Sequence, residues 1–111
     1  MRRYLYDMHL GGLYVSDEII EDTYCETCGD SDFLIGSFET IEELWGMIVI
    51  SGNWSLQHVY PFILETFGLP DDSKYENSYY RDQGFCCDSD DEIRKKIKNL
   101  IESEKRSAKN D

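Results

Sequence analysis

The sequence predicts a small single α+β domain, with an N-terminal β-hairpin and a short third strand packed against about three helices. Three observations carry this. Apolar and polar residues alternate at the N-terminus and run into Gly11-Gly12. Two later stretches pair a capping box with apolar residues at helical spacing. Between them an apolar stripe stops at Gly68 and Pro70. The chain is 111 residues long with 41% hydrophobic residues and two prolines, a composition that excludes disordered and collagen-like classes.

In positions 3–9, Tyr4, Tyr6, Met8 and Leu10 share one face, and Arg3, Asp7 and His9 the other. Gly11-Gly12 supplies the positive φ angles of a two-residue turn. The return strand Leu13-Tyr14-Val15-Ser16 then sets Leu13 opposite Leu10 and Val15 opposite Met8, with Tyr14 beside His9. Residues 17–32 are acidic and turn-rich. Phe33-Leu34-Ile35 reads as a third strand closed by Gly36. A helix follows, opened by the Thr40/Glu43 capping box and carrying Ile41, Leu44, Trp45 and Ile48 on one stripe. Met47, Val49 and Ile50 widen that stripe, which predicts a helix end buried on several sides.

Leu56, Val59, Tyr60, Ile63 and Phe67 form the next stripe; Pro61 inside it either kinks one helix or starts a second. Residues 70–85 lack periodicity and read as a hidden short strand or a functional loop. Ser89 and Glu92 open the last helix, whose stripe is Ile93, Ile97, Leu100 and Ile101. The domain spans 1–104, and 105–111 read as a frayed basic tail.

The arginines at positions 2 and 3 precede too few apolar residues for a secretory signal, and no apolar run approaches the ~20 residues of a membrane span. A cytoplasmic protein without a membrane partner is expected. With 23 acids against 11 bases the net charge is −12, unsuited to direct nucleic-acid binding by phosphate neutralisation. The charge divides as −9 over residues 1–50, −7 over 51–92 and +4 over 93–111. Cations late in the last helix complement its dipole and offset acids from earlier in the chain.

The acidic body suits a basic protein partner, because complementary charge speeds encounter and excludes wrong partners. Tyrosine supplies large, semi-rigid contact area at interfaces. Tyr75, Tyr79, Tyr80 and Trp54 are the expected anchors, with Asp71, Asp72, Glu76 and Asp82 as the charged surround. Such a composition fits a non-enzymatic inhibitor of the immunity-protein or nucleic-acid-mimic type.

The cysteines offer an alternative, a small zinc-stabilised domain. Cys25-x-x-Cys28-Gly29 has the form of a zinc knuckle, the glycine permitting the tight turn. Cys86 and Cys87 would complete four ligands, with His9 or His58 as substitutes. Thiol redox chemistry is disfavoured because Glu26, Asp30 and Asp32 surround the motif and like charge opposes a thiolate. A Cys28 pair with His9 or His58 has no spacing that marks a nucleophile. Asp30-Ser31-Asp32 lacks the central glycine and later ligands of a calcium loop.

Overall fold

The computed structural model describes residues 2–109 except 10, 22, 28 and 53, with the backbone alone at 108 and 109. The α+β class is as expected: a three-stranded antiparallel sheet and four helices. The chain forms two compact units, Met1–Ser51 and Gly52–Asp111.

In the first unit, β1 (Arg3–Asp7), β2 (Leu13–Ser16) and β3 (Phe33–Phe38) pair in the order β2-β1-β3, and α1 (Ile41–Ser51) packs on β3. The hairpin register differs from the expected one. Leu5, not Met8, stands opposite Val15, and Asp7 stands opposite Leu13. Strand β1 stops at Asp7 because the His9 backbone N–H leaves the ladder and donates to Asp32 Oδ1 at 2.9 Å. The loop is closed by Met8 N–H to Gly12 O (2.9 Å) and Gly11 N–H to Met8 O (2.8 Å), with φ of +92° and +114° at the two glycines. The expected position of Leu10 lies outside the described residues.

Both faces of β1 are covered, in contrast to the half-buried hairpin expected. Leu5 and Phe38 are fully buried, and Tyr6 is 2% exposed although it points the other way. Tyr6 stacks on Tyr14 at 5.2 Å, and its hydroxyl accepts the Ile20 N–H at 2.8 Å, drawing the acidic segment onto that face. Strand β3 runs through Gly36 instead of stopping there. Gly36 pairs with Leu5, and a register irregularity follows at Leu5/Tyr6. A Cβ at Gly36 would sit 2.5 Å from Met47 Sδ, so the missing side chain is what lets α1 approach the sheet.

Helix α1 starts as predicted. Thr40 Oγ1 accepts the Glu43 N–H at 3.1 Å, and Glu43 Oε1 reaches back to the Glu39 N–H at 3.1 Å. Ile41, Leu44 and Ile48 are buried, but the far end is not: Val49 is half exposed and Ile50 is 88% exposed. That corrects the widened stripe, because these two residues lie off the face turned to β3.

In the second unit, α2 (Leu56–Thr66) packs on α4 (Asp90–Lys109), burying Val59, Tyr60 and Ile63 with Ile93 and Ile97. Pro61 sits inside α2, which is one helix. Proline has no N–H, so the Gln57 carbonyl four residues earlier lacks its helical donor. The Cys86 N–H supplies one at 3.1 Å. The helix ends where Leu69 N–H returns to Leu64 O at 2.8 Å around Gly68, whose φ is +64°.

Residues 70–85 hold a short helix, α3 (Ser78–Asp82), where a short strand or loop was expected. Asn77 caps it, accepting the Tyr80 N–H at 3.3 Å. Ser89 caps α4 through the Glu92 N–H at 3.3 Å. The helix continues to Lys109, past the boundary expected at residue 104. Among the described residues no helix is long and apolar enough to cross a membrane.

Candidate functional site

The acidic, tyrosine-rich segment of the second unit divides into residues that build the unit and residues that face outward. Tyr60 OH donates to Asp72 Oδ1 at 2.5 Å, and Lys96 Nζ lies 3.9 Å from Asp72 Oδ2 and 3.2 Å from Asp88 Oδ1. Burial and the Asp72 carboxylate push the Tyr60 hydroxyl far up from its ordinary range. Asp72, itself exposed, is therefore tethered to α2 and α4 through Tyr60 and Lys96. Asp71 is tied locally: Oδ1 accepts the Ser73 N–H at 2.9 Å and Oδ2 accepts the Tyr75 hydroxyl at 2.6 Å. Burial and that carboxylate push Tyr75 up to about 12. The Arg81 guanidinium stacks over the Tyr75 ring at 5.7 Å.

Tyr80 is half-buried between Tyr79 (5.5 Å, edge to face) and Phe85 (6.2 Å). Trp54 is half-buried as well. Glu76, Tyr79 and Asp82 remain. All three are exposed, Tyr79 at 66%; Asp82 lies about one turn after Tyr79 in α3, and Glu76 stands just before the extended cap residue Asn77. Among the described residues neither Glu76 nor Asp82 enters an ion pair.

The cations of α4 offset only part of the charge. Lys96 engages Asp72 and Asp88, and Glu92 takes Lys74 at 3.8 Å. Arg94, Lys95 and Lys98 are exposed and form no ion pair among the described residues.

Cys25 and Cys28 fall in the first unit, Cys86 and Cys87 in the second. Cys86 is fully buried in the second unit beside Asp88, which with burial pushes its thiol up, whereas Cys87 is exposed. Cys28 lies outside the described residues. Cys25 belongs to the first unit, in a turn held by Cys25 N–H to Asp30 O and Gly29 N–H to Cys25 O, both 2.8 Å, with Gly29 at φ +68°. Among the described residues no group of three His, Cys, Asp or Glu side chains is arranged to hold a metal ion.

One cluster was missed in the sequence. Asp32 Oδ1 accepts from both the backbone N–H and the Nδ1–H of His9, at 2.9 and 2.5 Å, and Oδ2 accepts the Tyr14 hydroxyl at 2.6 Å. The Tyr14 hydroxyl, with the two His9 donors, holds the Asp32 carboxyl down at about 2; Asp32 in turn raises the His9 ring, and burial with Asp32 pushes Tyr14 to about 12. His9 thus leaves the polar surface to which its alternation assigned it. Tyr14 beside His9 was the only hint in the sequence. Comparison with family models, curated proteins and solved structures finds no match for the chain.

Proposed function

We propose that the chain is a non-enzymatic acidic interaction module that binds a basic protein and occludes its cationic surface, in the manner of an immunity protein or a nucleic-acid mimic. The observation that carries this reading is Tyr79, two-thirds exposed, with the exposed carboxylates of Glu76 and Asp82 three residues to either side. An exposed aromatic between unpaired acids is what a cationic partner's Arg-rich surface engages, through ring stacking and charge-assisted hydrogen bonds. A net charge of −12 adds long-range attraction to such a partner and repels nucleic acid. Asp71, Asp72 and Tyr75 take a supporting role: their polar atoms are spent on Ser73, Tyr60, Lys96 and one another, which holds the segment in shape.

The test is affinity capture from host extract on immobilised wild-type chain and on the triple variant Glu76→Lys, Tyr79→Ala, Asp82→Lys. A protein of high isoelectric point held by wild type alone, and eluted progressively between low and moderate salt, is the expected result. Equal retention on both columns, or binding indifferent to salt, removes the reading.

A further inference from the structure

We infer that α4 carries the cationic counterpart of the acidic surface, and that two copies of the chain associate by laying Arg94, Lys95 and Lys98 of one on Glu76, Tyr79 and Asp82 of the other. This rests on the reading that those last three residues engage cations, and adds that a second copy is one such partner.

Helix α4 buries Ile93 and Ile97 against α2. Arg94 and Lys98 each follow one of these isoleucines, which carries them about 100° off the buried line and one turn from each other. Lys95 joins them, at i, i+3 from Lys98. All three are exposed, and among the described residues none enters an ion pair. Glu102, one turn beyond Lys98, forms no ion pair with it either. Like charges at these spacings repel, and acids laid across them remove the repulsion.

The two surfaces match in spacing as well as in sign. Tyr79 and Asp82 lie about one turn apart in α3, and Arg94 and Lys98 one turn apart in α4, so both pairs set their Cβ atoms roughly 5–6 Å apart. The Arg94 guanidinium then stacks on the Tyr79 ring while Lys98 meets Asp82, which leaves Lys95 for Glu76. Arg81, the cation within α3, leaves the surface open because its guanidinium lies over Tyr75. Charge also selects the occupant. The whole chain at −12 repels a nucleic acid, whereas the second unit carries only −3, and salt at about 0.1 M screens repulsion beyond about 10 Å. Because each copy presents both surfaces, a two-fold dimer makes the contact twice.

The experiment is sedimentation velocity of the full-length chain over the micromolar to millimolar range. The chain is kept reduced, which excludes a disulfide through the exposed Cys87. A reversible dimer is expected at about 0.1 M salt, weakening as the Debye length falls to about 3 Å at about 1 M. Arg94→Glu with Lys95→Glu and Lys98→Glu weakens association at least about tenfold, and so does Glu76→Lys with Asp82→Lys. Tyr79→Ala weakens it about two- to fivefold. An equimolar mixture of the two charge-reversed chains restores the dimer, which a misfolded variant would not do. A wild type that stays monomeric at about 0.1 M salt, a dimer retained by the α4 variant, or a mixture that stays monomeric each overturns the inference. The two readings fail separately: capture of a basic protein by a chain that never dimerises overturns this one alone, and a dimer without such capture overturns the proposed function alone.

Discussion

Replacing Asp88 with alanine removes a carboxylate that is closed off from solvent and holds two groups at once. Oδ2 accepts the Lys74 backbone N–H at 2.9 Å, and Oδ1 accepts from Lys96 Nζ at 3.2 Å. A hydrogen bond to a charged group contributes about 1.5–3 kcal/mol. Lys96 keeps Asp72 at 3.9 Å and is 27% exposed, so its share falls to that of an exposed pair, about 0.5–1 kcal/mol. Asp88→Ala should therefore cost about 2–4 kcal/mol; at roughly 4 °C per kcal/mol for a chain of this size, Tm drops by about 8–16 °C. Asp88→Asn keeps an acceptor for the Lys74 N–H and loses the charge, costing about 1 kcal/mol.

The pH dependence follows from the same contacts. Burial pulls the Asp88 carboxyl up, but the Lys74 N–H and the Lys96 ammonium outweigh it and hold it below its ordinary range. A lowered folded value makes the contribution complete above the unfolded value of about 3.9 and progressively lost as pH falls below it. The gap in Tm between wild type and Asp88→Ala is thus full at neutral pH and closes in acid. Thermal unfolding followed by circular dichroism at about pH 7 and about pH 3 measures both. A gap under about 2 °C at neutral pH, or one that persists undiminished in acid, refutes the reasoning.

Three further outcomes are expected. Gly36→Ala forces Met47 Sδ to move and costs about 1 kcal/mol by chemical denaturation, Gly36→Val costs more, and Met47→Ala in the same chain relieves part of either loss. Thr40→Ala removes the acceptor of the Glu43 N–H and costs about 1 kcal/mol; Thr40→Ser retains most of it. In chelator-containing buffer, Asp32→Asn returns the raised His9 titration toward about 6.5 by NMR. The raised folded value means that the His9 contribution to stability is full below about pH 6.5 and fades as pH rises through the folded value; a His9 titration unmoved by Asp32→Asn breaks this link.

Much of the fold was legible because it rests on local physics. Thr40 with Glu43, and Ser89 with Glu92, are close enough in the chain for their caps to be read directly, and Ile41, Leu44, Ile48, Ile93 and Ile97 lie on their buried faces as their spacing requires. The short helix at Ser78–Asp82 was not legible, since five residues are too few to show a period. Its cap at Asn77 was the one available cue.

Of the expected partner-binding residues, composition marked the right segment and could not sort it. Asp72, though exposed, is tethered because Tyr60 and Lys96, distant in sequence, reach it, whereas among the described residues no ion pair reaches Glu76 or Asp82. The sequence by itself determined the charge, the helical stripes and the knuckle-like spacing of Cys25 and Cys28. Only the tertiary structure decided the hairpin register, the donor that serves the carbonyl freed by Pro61, and the meeting of His9 with Asp32 across 23 positions. Each of these depends on a polar group finding its partner after chain closure, and neighbours within a helical turn or a strand repeat carry no record of that pairing.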